Sequence, residues 1–265
     1  MPTLPAPRSY RAVNWLGLWS LIAKDVRRGL KGYRYSVLGP VVSNLLFLTV
    51  FALARSHDGP YVGGLSFIEF LVPGLIIFAA CERAYGTSSE SVLFDKMEGM
   101  IADTLMAPLT AIERTVGYAC SSATMGLVTG AATAIPMLLL VDLPVASLPL
   151  ICFFAVAGTL MHGLFGVIVG LWAERWDHYA AALTFLVIPF GFLSGTFYSI
   201  ATLPEIGARA ARLNPMFYVI DGFRAGSTGH ADGSLGTGIV VVLLVIIILG
   251  AVTCRLFRIG YKIKP

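Results

Sequence analysis

The chain reads as an all-α integral membrane protein, and three observations predict it. Of its 265 residues 57% are hydrophobic and only 13% charged, well below the roughly one quarter charged of a soluble domain. Six apolar runs follow one another, each near the roughly 20 residues needed to cross a bilayer. The connections between them are short or themselves patterned, which leaves no stretch for a soluble core. The predicted architecture is a single domain over 1–265: an amphipathic interfacial helix at 9–34, six transmembrane helices within 37–257, and a tail at 258–265.

Residues 1–8 are proline-rich and read as frayed. The N-terminus has no apolar signal core and no small-residue cleavage site, so the first span is expected to target the chain itself. Over residues 9–34, Trp15, Leu18, Trp19, Ile22, Val26, Leu30 and Tyr33 recur at three- and four-residue steps, while Lys24, Arg27, Arg28, Lys31 and Arg34 cover much of the remaining surface. This predicts an interfacial helix with its apolar face in lipid and its basic face toward anionic headgroups. Trp15, Trp19, Lys24, Arg27 and Arg28 are its expected anchors. A soluble helix binding nucleic acid is the competing idea; the two tryptophans and the apolar run that follows oppose it.

The spans are expected at 37–54, 67–89, 115–141, 148–172, 179–200 and 238–257. With the N-terminus in the cytoplasm, the inside segments hold the seven Lys/Arg of residues 8–34, Lys96, Arg114, Arg175, Arg255, Arg258, Lys262 and Lys264. The outside segments keep Arg55, Arg209, Arg212 and Arg224, and Arg83 falls inside the second span. This positive-inside bias predicts both termini in the cytoplasm. Gly126-x-x-x-Gly130 and Gly166-x-x-x-Gly170 match the close-approach pattern of membrane helices, a pattern common by chance in a glycine-rich chain. Cys81, Cys120, Cys152 and Cys254 all fall in apolar stretches without metal-ligand spacing, which predicts buried free thiols.

Two polar stretches interrupt the spans. In DKMEGMIADTLMAPLTAIER, residues 95–114, Met97, Met100, Ile101 and Leu105 fall at i, i+3, i+4 and i+8, with Asp95, Glu98 and Asp103 on the flanks and far side. That spacing predicts a short amphipathic helix limited by Pro108. It suits a helix resting on the membrane surface, and it equally suits a docking helix gripped by a soluble partner. The second stretch, 201–236, has Pro204 and Glu205 suited to a helix start and Asn214-Pro215 to a stop. Ile206, Ala210 and Leu213 share a face there, with Arg209 and Arg212 near the other. MFYVIDGFRAG follows, too short to span. Two half-helices dipping into the outer leaflet are expected, with Asp221 and Arg224 paired three residues apart.

The chain has no G-x-x-x-x-G-K-[ST], no H-E-x-x-H and no G-x-S-x-G. His57, His178 and His230 are scattered over loops and suggest no metal site. Glu82, Arg83 and Glu90 interrupt the second span; they suit either a proton-coupled path or a snorkelling pair near the cytoplasmic end. The aromatics Phe67, Phe70, Phe78, Tyr85, Phe190, Phe192, Phe197 and Tyr198 suit helix packing, lipid contact or the wall of a transport path.

Three motifs carry a resemblance: FIEFLVPGLIIF at 67–78, MEGMIADTLMAPLTAIERTVGY at 97–118, and FLSGTFYSIATLPEIGARAARLNPMFYVIDGFRAG at 192–226. Over nearly its whole length the chain resembles the membrane-spanning subunit of type-2 ABC (ABC-2) exporters, in the branch of YadH and nodulation protein J. The resemblance implies a homodimer in the bacterial inner membrane and two copies of a separate P-loop subunit that binds ATP and Mg, this chain holding no cofactor. It implies a cytoplasmic coupling helix that meets that subunit through Lys96, Glu98, Gly99, Asp103, Thr104, Leu105, Pro108 and Leu109. Where the family often has Gly-Thr-Leu/Ile-Glu, this chain has Gly99-Met100-Ile101-Ala102. The half-helices before the last span resemble the re-entrant pair that closes the outer end, with Phe197, Tyr198, Asn214, Pro215, Asp221 and Arg224 at the gate and substrate path. The expected cargo is amphipathic: a lipid, a glycolipid or polysaccharide, or a hydrophobic drug. The alternatives are a proton-coupled secondary transporter using Glu82 and Glu90, which the absence of inverted repeats opposes, and an intramembrane hydrolase using Ser194 and His162, which has no orienting third group.

Overall fold

A computed structural model of the chain describes residues 13–54 and 61–262, apart from the side chains of Ala102, Asp103 and Leu105. The expectations for 1–12, for Arg55 and His57 and for Lys264 lie outside these residues. In order the helices are α1 (Trp15–Lys31), α2 (Gly39–Ala54), α3 (Phe67–Met97), α4 (Ile101–Met106), α5 (Ala111–Leu140), α6 (Leu148–Trp172), α7 (Trp176–Ala182), α8 (Ile188–Leu193), α9 (Glu205–Leu213), α10 (Pro215–Thr228) and α11 (Leu235–Ile259). Two π-helical turns, Arg34–Leu38 and Leu183–Val187, join α1 to α2 and α7 to α8. Each turn stands just before a proline, Pro40 or Pro189, where the normal helical bond is missing. The Ser36 carbonyl, four residues before Pro40, accepts from the Thr129 hydroxyl on α5 at 3.2 Å.

Five segments are long and apolar enough to cross a membrane: Arg34–Ala54, Ala111–Leu140, Leu148–Trp172, Trp176–Leu193 and Leu235–Ile259. The remaining expected span, 67–89, is the first part of the 31-residue α3, whose apolar run Glu82 and Arg83 interrupt. This helix is the centre of the bundle. Residues 70–81 are buried without a break, between α5 and α6 and against α10. Leu71, Ile77, Phe154, Val219 and Val242 join one apolar core around it.

Both glycine pairs are seated on α3. A Cβ at Gly126 would lie 2.5 Å from the Ala80 carbonyl oxygen, and one at Gly170 would lie 2.9 Å from that of Ser89. At Gly166 a Cβ would collide with the Tyr85 carbonyl and the Ser88 hydroxyl. The small residues thus let α5 and α6 press backbone to backbone on α3, where dispersion contacts hold membrane helices together. The Ser88 hydroxyl donates across the same seam to the Gly163 carbonyl at 2.7 Å.

Capping boxes fix where α3 and α5 begin. Ser66 caps Glu69, and Thr110 caps Glu113, each with the reciprocal carboxylate bond. α5 therefore starts at Ala111, ahead of the expected 115.

α1 lies against α5 and the far end of α3. Leu18 and Leu21 face inward, and Gly117 gives Leu21 its room. Asp25 is buried and accepts from the Ser91 hydroxyl at 2.7 Å. Asp95, 1% exposed, binds Lys24 at 2.6 Å and Arg28 at 2.9 Å. This corrects two expectations. Lys24 and Arg28 turn to Asp95 rather than to headgroups, and Asp95 is buried under α1 instead of flanking an open helix. Trp15 and Trp19, 72% and 68% exposed, and the exposed Arg27 point away from the bundle.

Three outcomes follow from this packing. Gly166→Val should destabilise the bundle by about 1–3 kcal/mol or more, because backbone has to move; it is read as a lower thermal midpoint in detergent. Asp95→Ala should cost about 1–3 kcal/mol by the same measurement, less than the about 3–5 kcal/mol of a fully buried pair, because Lys24 and Arg28 regain water. Burial pushes the Asp25 carboxyl above the usual carboxylate range, while Lys24 and Ser91 pull it back. A raised acid favours the fold most below its unfolded pKa and loses that contribution as pH rises. Asp25→Asn should therefore hold or raise the midpoint at about pH 7.5 and give no gain near about pH 4.

Candidate functional site

At one end of the bundle the chain turns from α3 into α5, and the expected amphipathic helix is broken there. Glu98 ends α3, and Gly99 has φ +72°, a conformation glycine adopts at no steric cost. α4 is a separate six-residue helix. The carbonyl of Pro108 then accepts from the Asn14 amide at 3.1 Å. Glu98, Gly99, Met100 and Pro108 are exposed, and Met106 is 77% exposed. Thr104 is half-buried and Leu109 is buried. The side chains of Asp103 and Leu105, both expected contact residues, lie outside the description.

Lys96 departs from the role expected of it. Its ammonium points inward and donates to carbonyls at the end of α6 and just past it, those of Leu171 at 2.7 Å and Ala173 at 2.6 Å. It thereby satisfies acceptors that a helix end leaves open. Lys262 does the same for Trp172 at 3.3 Å and binds Glu174 at 2.7 Å. That pairing holds the Glu174 carboxyl below its usual range and Lys262 above its own.

The turn is also tied to α1. One carboxylate, Glu113, accepts the backbone N–H of Thr110 and that of Asn14, each at 2.6 Å. Asn14 caps α1 through Gly17 N–H at 2.9 Å. The starts of α1 and α5 and the segment after α4 therefore share one hydrogen-bonded corner. Sequence reasoning missed Asn14 and Glu113, although T-x-x-E ahead of an apolar run was the available signal.

At the opposite end, Asn214 is the joint between α9 and α10. Its side chain accepts from Met216 N–H at 3.0 Å and donates to the Phe190 carbonyl at 2.6 Å, with Pro215 as the first residue of α10. The expected Asp221–Arg224 pair does not form. Asp221 instead accepts the backbone N–H groups of Asp232 at 2.8 Å and Gly233 at 2.9 Å. Arg224, 1% exposed, donates to the Phe70 carbonyl at 3.1 Å and the Gly195 carbonyl at 2.7 Å, and lies 3.7 Å over the Phe70 ring. The Gly195 carbonyl in the bend after α8 and the Phe70 carbonyl on α3 thus take the guanidinium in place of the nearby carboxylate. Asp232, which no motif flags, gathers Ser199 Oγ at 2.8 Å and Ile200 N–H at 3.0 Å. Tyr198 is half-buried in the same segment.

Between α2, α3 and the α7–α8 segment lies an open groove of about 480 Å³. Toward the α9–α10 end its wall is aromatic. Phe197 meets Phe47 at 6.1 Å and Phe192 at 5.1 Å between ring centres, and Phe78 lies 6.1 Å from Phe192. Toward the α4 end the lining is charged. Arg83 binds Glu90 at 2.9 Å and Thr87 at 2.9 Å, and the Tyr179 hydroxyl donates to Glu90 at 2.9 Å. Ser194 and His162, the residues of the hydrolase alternative, each bond back to a carbonyl of the preceding turn, Gly191 and Gly158, and not to one another.

A family model described as ABC-2 type transporter matches residues 17–227. The inner membrane transport permease YadH of Escherichia coli (strain K12) is 30% identical over 234 residues, 87% of this chain and 91% of the relative. Nodulation protein J of Rhizobium leguminosarum bv. trifolii is 25% identical over 230 residues, 83% of each chain. Nodulation protein J of Sinorhizobium fredii (strain NBRC 101917 / NGR234) is 23% identical over 233 residues, 84% of each. Together with a helical bundle of apolar spans, these matches make the chain a member of the ABC-2 type transporter family, a membrane transport permease.

Proposed function

We propose that the chain is the membrane-spanning subunit of an ATP-driven exporter. Two copies pair in a bacterial inner membrane above two copies of a separate P-loop subunit, which binds ATP and Mg. Both termini and the α3–α5 turn face the cytoplasm, in keeping with the bias of Lys and Arg toward that side. The observation that carries the reading is this turn: its surface exposes Met97, Glu98, Met100 and Met106, while its base is tied to α1, α5 and α6 through Asn14, Glu113 and Lys96. A partner that grips the surface moves the helices behind it. ATP binding then shifts the membrane halves between closed and open arrangements.

The groove supports an amphipathic cargo, because one length of it is aromatic and the other charged. The α9–α10 pair, with Arg224 holding Gly195 against α3, closes its outer end.

Co-purification of tagged chain from its native membrane tests the assembly: a P-loop ATPase in equal amount is expected, and a chain that purifies alone overturns the reading. Glu98→Lys combined with Met106→Asp should abolish stimulation of ATPase activity in reconstituted liposomes without loss of the folded permease; unchanged stimulation counts against the coupling surface. Arg224→Met, which leaves two carbonyls without their donor, should raise the leak of a small dye from such liposomes several-fold. A tight vesicle with correctly folded variant would remove the gate from Arg224.

A further inference from the structure

The groove between α2, α3 and α7–α8 is lined by three charged side chains, Glu82, Arg83 and Glu90. Two carboxylates face one guanidinium. Arg83 is held by Glu90 and Thr87, and Tyr179 takes the other oxygen of Glu90. Glu82 makes no hydrogen bond and no ion pair among the described residues, although it follows the buried Cys81 on the central helix. A carboxylate at that depth is costly without a partner, and such residues in membrane proteins usually mark the path of what is carried. About one helical turn away stands Phe78, four residues earlier on α3, and across the groove are Phe47, Phe192 and Phe197. Aromatic faces attract cations as well as apolar groups. An anionic head would meet the excess negative charge directly, and a neutral one would leave it uncompensated.

We infer that the groove selects an amphiphile whose headgroup is an organic cation, with Glu82 as its counter-ion and the phenylalanine cluster holding the apolar part. The inference rests on reading the groove as the cargo path, but its test needs neither ATP nor transport. Tetraphenylphosphonium and tetraphenylborate share a shape and carry opposite charges. Equilibrium dialysis of each against the full chain in phosphatidylcholine nanodiscs, corrected with empty nanodiscs, measures the preference. The phosphonium should bind saturably and at least about tenfold more tightly than the borate. Glu82→Gln should weaken it about tenfold or more, and Glu82→Asp, which keeps the charge, should retain most of the binding. Equal affinity for the two ions overturns the inference, as does phosphonium binding untouched by Glu82→Gln in a monodisperse, folded variant. Intact selectivity in a chain that recruits no ATPase would instead sustain the cation site and remove the exporter reading.

Discussion

Everything in this bundle depends on how closely two helices approach α3. Lipid supplies no hydrophobic drive for helices to associate, so contact has to come from packing and from hydrogen bonds across the seam. Gly126 and Gly130 on α5, and Gly166 and Gly170 on α6, remove the side chains that would hold the backbones apart. Ser88 then reaches the Gly163 carbonyl directly. With α3 enclosed from both sides, its charged residues beyond Glu69 lie along the groove, as Glu82, Arg83 and Glu90 do, or at its far end, where Asp95 sits beneath α1 and Lys96 reaches the end of α6.

Among the described residues, several charges inside the bundle have a structural partner, while Glu82, half-buried in the groove, has none. Asp95 has two cations from α1, Asp221 and Asp232 gather backbone N–H groups, and Arg224 spends its donors on two carbonyls. Each of these joins segments distant in sequence, and each would be expensive to leave half-satisfied. Glu82 belongs to none of these networks. That contrast separates it from the others.

The fold was legible where a pattern is local. Apolar runs gave the spans and Pro204 and Asn214-Pro215 gave the limits of α9, while Ser66-x-x-Glu69 and Thr110-x-x-Glu113 are local signals of two helix starts that went unread. Gly99 after Lys96 is an ordinary helix stop, yet the apolar spacing of Met97, Met100 and Ile101 read through it as one helix. The sites that depend on distant partners were not legible. Asp25 and Asp95 meet groups some 66 to 71 residues away, and nothing near them announces it. Asp221 and Arg224 show the opposite failure: a three-residue spacing puts both on one helical face, but carbonyls from Phe70 and Gly195 take the arginine.

The attachment of α1 has a mechanical consequence. It is fixed near its start by Asn14, past its middle by Lys24 and Asp25, and one turn further on by Arg28. Asn14 to Arg28 is about 21 Å of helix at 1.5 Å per residue. A rod clamped at separated points neither pivots nor slides. A displacement imposed at its first turn would therefore be carried along α1 to the end of α3, some four turns away, with little taken up inside the helix.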